Sequence, residues 1–70
     1  MTPEQSRAAR GWLDWPQKEL AERAGVSLST VRDFEKGRRV PIGNNMIALE
    51  KVLTDQGIEL IESGIRAIKP

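Results

Sequence analysis

The chain has 70 residues, a charged fraction of 30% and a formal net charge of +1. Without cysteine or histidine, it has no means of forming disulfides, zinc sites of the cysteine and histidine type, or nucleophile pairs that need a histidine base. A chain this short forms one domain with little room for a buried substrate pocket, so composition argues against an enzyme and a metal site.

The first predicted helix begins after Thr2, which is suited to the N-cap position. Ala9 and Trp12 recur along it at helical spacing, and Pro16 ends the pattern because proline disrupts a helix interior. The two tryptophans of this region, Trp12 and Trp15, are predicted as core and core-edge residues.

Two short helices are predicted next, over 16–24 and 28–36. Gly25 between them suits a left-handed turn, and Ser27 suits the N-cap of the second helix. Val31 points inward from that helix at 100° per residue. Two helices joined by a tight glycine turn indicate a helix-turn-helix, a motif that places its second helix in the DNA major groove.

A fourth helix is predicted over 44–56, and the apolar pattern then becomes strand-like, with a candidate hairpin turn at Ser63–Gly64. A lone hairpin is marginal in water, so we expect it to pack on the helices or to pair with a second chain. The chain thus divides into a helical domain, 1–57, whose helix-turn-helix spans 16–37, and a tail, 58–70, which is a candidate dimerisation element.

Several positions between the second helix and the following loop form a specific pattern together. They are Gln17, Leu20, Ala21, Gly25, Val26, Ser27, Val31, Glu35, Gly37 and Pro41. With this pattern the chain resembles the Cro/C1-type helix-turn-helix regulators, also called the xenobiotic response element family. The resemblance implies a mainly α, lambda-repressor-like domain of four to five helices with a short C-terminal strand or hairpin. It also implies a homodimer that docks its third helix on double-stranded DNA, without cofactor or catalysis.

Within that family pattern, the exposed face of the third helix carries the candidate base-reading residues. They are Leu28, Ser29, Arg32 and Asp33. Leu28 can contact a thymine methyl, Ser29 can bond a base or a phosphate, and Arg32 can pair with guanine O6 and N7. Asp33 either accepts from cytosine N4 or lowers the affinity by repelling phosphate. An ordinary solvated helix face is the competing interpretation.

A second set of side chains is predicted to bind DNA phosphates. It comprises Gln17, Thr30, Lys36, Arg38, Arg39, Asn44 and Asn45. The basic members would make binding salt-dependent because they release counterions from DNA. A solubilising loop is the alternative interpretation of the basic residues, and helix capping is that of the asparagines.

Glu35 lies near the inward face of the third helix, where a carboxylate needs a partner. The resemblance assigns Arg10 of the first helix to this structural ion pair. Ser6 stands where the family's first helix usually presents an aliphatic side chain, so we expect a thinner core there.

Together these features predict a sequence-specific DNA-binding transcriptional regulator, acting as a repressor in the cytoplasm at the nucleoid. The alternative is an antitoxin of a toxin–antitoxin pair, or another protein-interaction module, because the net charge is low and the aliphatic tail can add a strand to a toxin or other protein partner. The first residues are polar and no apolar run reaches transmembrane length, so we expect neither a secretory signal nor a membrane contact.

Overall fold

A computed structural model describes residues 1–68, and over these residues it contains four helices followed by a two-stranded antiparallel hairpin. The elements are α1 (Pro3–Leu13), α2 (Gln17–Ala24), α3 (Leu28–Glu35), α4 (Gly43–Asp55), β1 (Ile58–Ile61) and β2 (Gly64–Ala67). This confirms the expected lambda-repressor-like fold with its short hairpin. Lys69 and Pro70, which end the predicted tail, lie outside the described residues. No helix within 1–68 combines the length and apolar character needed to cross a membrane.

The first helix begins at a capping box. The Thr2 hydroxyl accepts from the Gln5 backbone N–H at 3.1 Å, and the Gln5 side chain accepts from the Thr2 N–H at 2.8 Å. The helix ends at Asp14, which takes a left-handed φ of 60°. The buried side chains of α1 are Gln5, Ser6 and Ala9, so polar groups occupy most of its inward face.

The helix-turn-helix is formed by α2 and α3. Gly25 ends α2 with a φ of +70°, and the Val26 N–H donates back to the Ala21 carbonyl at 3.0 Å. Ser27 then caps α3 by accepting from the Thr30 N–H at 3.1 Å. The tight turn leaves one face of α3 toward the core and the other toward solvent.

The hydrophobic core draws on every helix and on the first strand. Its buried members are Ala9, Leu20, Ala21, Val31, Leu49, Leu53 and Ile58. Burying an aliphatic side chain fully contributes about 1.5–3 kcal/mol, so each of the large members matters in so small a domain. Because Ile58 belongs to β1, the hairpin completes the core of the helical unit.

The hairpin register places four aliphatic side chains on one face. Ile58 pairs with Ala67 and Leu60 pairs with Ile65, and these side chains belong to the core or pack against it. Alternation along each strand therefore directs the apolar face of the hairpin toward the helices.

The hairpin turn consists of residues 62–63, so the predicted turn at Ser63–Gly64 is wrong by one residue. Gly64 opens β2 opposite Ile61, and the Gln5 side-chain amide donates to the carbonyl oxygens of both residues. This contact holds the closing pair of the hairpin against α1. The register is thus supported by a tertiary hydrogen bond and does not require a glycine within the turn.

The predicted core position of Trp12 is also wrong, because its side chain is 62% exposed. The inward face of α1 is centred on Ser6 and Ala9, and Trp12 lies to the side of it. Trp15 is half-buried against the core, and the guanidinium carbon of Arg23 lies 4.2 Å from its ring centroid. This cation–π contact joins α2 to the segment that precedes it.

Candidate nucleic-acid interface

A buried carboxylate joins the first three helices. The Glu35 side chain is 1% exposed, and its Oε1 accepts from Arg10 Nη2 at 2.6 Å and from Gln17 Nε2 at 3.0 Å. Its Oε2 accepts from Arg10 Nε at 2.8 Å and from Ser6 Oγ at 2.6 Å. The structure therefore places Arg10 on Glu35 in a bidentate ion pair, a strong and orientation-specific contact.

Glu35 is held in its charged form by these partners. Burial alone would raise its pKa, but hydrogen bonds from Arg10, Ser6 and Gln17 outweigh that effect and hold the pKa of Glu35 below its usual range. Removing one member of a buried ion pair costs about 3–5 kcal/mol, because the other charge is left without compensation. The cluster thus fixes how α1, α2 and α3 sit relative to one another.

Ser6 has a structural role, as a hydrogen-bond donor to Glu35, that the sequence did not predict. It was expected to thin the core, yet its side chain is fully buried and its hydroxyl donates to Glu35. The inward Glu35 was the available signal, since a buried carboxylate needs more donors than one arginine supplies.

The predicted base-reading side chains share one face of α3. Leu28 is 41% exposed at the first position of the helix, Ser29 and Arg32 are exposed, and Asp33 is half-buried. Helical spacing places these residues opposite the buried side of α3. They form a surface that can meet the edges of bases, with a cation, an anion, a hydroxyl and an apolar group.

A groove of about 240 Å³ lies beside this face. It is lined by Ser29, Thr30, Asp33, Arg39, Val40, Pro41, Ile42 and Asn45. Three predicted phosphate ligands, Thr30, Arg39 and Asn45, thus come together although they belong to α3, to the following loop and to α4. Hydroxyl, guanidinium and amide groups are typical donors to phosphate oxygens, whereas the Asp33 carboxylate in the same groove repels them.

The other predicted phosphate ligands do not line the groove. Lys36 and Arg38 are exposed just after α3, and Asn44 is exposed in the first turn of α4. Gln17 is half-buried at the start of α2, where its amide donates to Glu35. The N-cap of α4 is Ile42, so neither asparagine occupies the cap position that the alternative interpretation required.

Two apolar residues of the groove were missed by the sequence analysis. Val40 and Ile42 flank Pro41 and are 82% and 71% exposed. Branched apolar side chains on both sides of a loop proline, directly after two arginines, were the signal that could have identified them. They give the groove an apolar wall beside its polar donors.

Comparisons with known proteins bear on this surface. A helix-turn-helix family model matches residues 7–54, more than half of the chain. The matched segment contains α2, α3, the groove and most of α1 and α4. A search of curated proteins finds no match. The chain therefore belongs to the Cro/C1-type helix-turn-helix family and is a DNA-binding regulator of that general kind.

Proposed function

We propose that the protein is a sequence-specific transcriptional repressor that binds a palindromic duplex site as a homodimer, with α3 in the major groove. The observation that carries this proposal is the position of the groove directly beside the base-reading face. A DNA phosphate held by Thr30, Arg39 and Asn45 would set the register of the backbone against α3. Phosphate contacts position a protein on DNA, and base contacts then provide specificity.

Each base-reading side chain has a distinct role in this proposal. Arg32 pairs with guanine O6 and N7, and Leu28 packs on a thymine methyl at the tip of α3. Ser29 bonds a base edge or a phosphate. Asp33 accepts from cytosine N4 or reduces the affinity for DNA in general. Gln17, Lys36, Arg38 and Asn44 extend the phosphate contacts on either side.

A homodimer is supported by aliphatic side chains outside the groove that the fold leaves exposed. Ile61 and Ile68 of the hairpin region are 40% and 55% exposed, and Ile47 of α4 is 62% exposed. A two-fold dimer would present two copies of α3 to half-sites about one helical turn, or ~34 Å, apart. Repression by occupying such a site is the simplest action for a domain of this size, and it places the protein in the cytoplasm at the nucleoid.

The second candidate function is that of an antitoxin, supported by the open edges of the hairpin. The described sheet has two strands, so each strand has one edge without a neighbouring strand. An extended segment of a toxin or another protein can add to such an edge. This interaction is compatible with DNA binding by α3 and the groove, since the hairpin packs against α1 and α4.

The test is selection of bound sequences from a random duplex pool at near-physiological salt. Wild type is compared with the double variant Ser29→Ala, Arg32→Ala and with Lys51→Ala, which removes a charge from the outer side of α4. We expect a palindromic motif that the double variant loses or relaxes and that Lys51→Ala retains. If wild type enriches no motif, the proposal of sequence-specific binding is wrong.

The dimer is tested separately by sedimentation. Deleting the hairpin would remove Ile58 from the core, so surface substitutions are the suitable variants. We expect Ile61→Lys with Ile68→Lys to shift a wild-type dimer toward monomer. An unchanged dimer would exclude Ile61 and Ile68 from the interface.

A further inference from the structure

We propose that Glu35 is a positioning residue for DNA binding, because its buried carboxylate orients the side-chain amide of Gln17 toward the DNA backbone. This inference rests on the proposed role of Gln17 as a phosphate ligand. Glu35 and its hydrogen-bond donors would then have a second role besides holding the first three helices together.

The geometry of the amide is the first argument. Gln17 Nε2 lies 3.0 Å from Glu35 Oε1, and Gln17 is the first residue of α2. An amide nitrogen carries two hydrogens in a fixed plane. When one hydrogen is directed at Glu35, the second is held at a fixed angle to it, and the Gln17 side chain is only half-buried. That second hydrogen is the one available to a phosphate oxygen.

The rigidity of the carboxylate is the second argument. Glu35 Oε2 is occupied by Ser6 Oγ and Arg10 Nε, so the group cannot rotate without breaking buried hydrogen bonds. Arg10 Nη1 also donates to the Trp15 carbonyl at 2.9 Å, just before α2 begins. The carboxylate and the backbone that carries Gln17 are therefore held by the same arginine.

Charge compensation is the third argument. A free carboxylate beside a phosphate ligand would repel DNA, but the bidentate pair with Arg10 neutralises Glu35. A cationic side chain at position 17 would compete with Arg10 for Glu35. The uncharged amide of Gln17 instead donates one hydrogen to Glu35, which orients it, and keeps the other hydrogen for a phosphate oxygen.

An oriented amide favours binding because less side-chain freedom is lost when DNA arrives. Immobilising one flexible side chain costs an amount that corresponds to roughly a three- to tenfold weaker affinity. Loss of Glu35 should therefore weaken DNA binding through Gln17 by about that factor.

A double-mutant cycle tests this coupling, with a mixed-sequence duplex as the probe at low salt. The proteins are wild type, Gln17→Ala, Glu35→Gln and the double variant, each checked for folding by circular dichroism. We expect Gln17→Ala to weaken binding about tenfold, as for a hydrogen bond to a charged group. Glu35→Gln should weaken wild type roughly three- to tenfold and have almost no effect once Gln17 is absent.

Additive effects in this cycle would overturn the inference and leave the proposed function standing. A Gln17→Ala variant that binds DNA as tightly as wild type would overturn the inference in the same way, provided that wild type binds. Failure of wild type to bind the duplex at any salt concentration would overturn the proposed function and this inference together.

A measurement on the wild-type protein covers the case in which Glu35→Gln does not fold. The NMR order parameter of the Gln17 side-chain amide should approach that of rigid backbone, about 0.85, in the absence of DNA. The exposed Gln56 side chain at the end of α4 is the internal control and should be flexible. A Gln17 amide as mobile as that of Gln56 would overturn the proposal.

Discussion

At the scale of single residues, two polar side chains of α1 hold other elements in place. Gln5 reaches the closing pair of the hairpin, and Ser6 reaches Glu35 at the end of α3. Both are buried, and a buried polar group is stabilising only when its hydrogen bonds are made. The inward face of α1 is therefore specified by hydrogen-bond partners as much as by apolar area.

Ser6→Ala removes one of these bonds with little change in volume. We expect the free energy of unfolding to fall by about 2 kcal/mol, because the lost hydrogen bond serves a buried carboxylate. Urea denaturation at neutral pH measures the change. Ser63→Ala in the exposed turn is the matched control and should stay within about 0.5 kcal/mol of wild type. Coincident midpoints for Ser6→Ala and wild type would contradict the expectation.

The effect of Ser6→Ala should depend on pH. The pKa of Glu35 is lowered on folding, so the unfolded chain binds more protons in acid, and stability is lost as the pH falls. Since the Ser6 bond contributes to that lowering, its contribution is complete above the ordinary glutamate pKa of about 4.3 and disappears in stronger acid. Melting temperatures of both proteins across this range check the sign. A difference independent of pH would show that Ser6 does not act on the charge of Glu35.

Residue-level prediction from the sequence succeeded and failed for identifiable reasons. Glu35 was placed inward correctly because it follows the inward Val31 by four residues, about one helical turn. Trp12 was misplaced because helical spacing from Ala9 admits both Trp12 and Leu13, and it is Leu13 that packs against the core. The burial of Gln5 and Ser6 depends on partners more than 25 positions away along the chain, which local periodicity cannot reveal.

At the scale of elements, the best-predicted features were the helix ends. Thr2, Ser27 and Gly25 act through bonds to residues a few positions away, so a local pattern is sufficient to recognise them. The hairpin turn was displaced by one residue because a contact with Gln5, far away in sequence, supports the register. The groove likewise combines α3, a loop and α4, and it appears only after folding.

Gln5→Glu separates the two functions of that side chain. A glutamate can still accept from the Thr2 N–H in the capping box, but it cannot donate to Ile61 and Gly64. We expect faster amide hydrogen exchange throughout the hairpin and a loss of about 1–3 kcal/mol in the free energy of unfolding, since two partly buried carbonyl groups lose their donor. Glu4→Gln, one residue earlier on the exposed side, is the control. If the hairpin amides exchange as slowly in Gln5→Glu as in wild type, Gln5 does not anchor the hairpin.

At the scale of the whole molecule, we expect the attraction to DNA to depend on where the charges lie more than on the net charge. The chain is close to neutral, yet Lys36, Arg38 and Arg39 follow α3 in a short exposed run next to the groove. Local charge of this kind determines how many counterions are released from DNA.

Arg38→Ala with Arg39→Ala should weaken binding to all duplexes alike. We expect the slope of log affinity against log salt to become shallower by about 4, one unit for each lost phosphate contact, because each protomer of the proposed homodimer loses two. Fluorescence anisotropy over a range of salt concentrations measures the slope. Lys51→Ala, which removes a cation paired with Asp55 on α4, should leave it unchanged. A wild-type slope in the double variant would exclude these arginines from the phosphate contacts.

The position of Ile58 in the core also bears on how the protein forms during translation. A nascent chain that has emerged only through α4 contains the whole helix-turn-helix but lacks this fully buried side chain and the carbonyl groups that Gln5 binds. Domains tend to fold as cooperative units once their cores can be completed. On the ribosome, the DNA-binding surface should therefore gain its native stability only when the hairpin has left the exit tunnel.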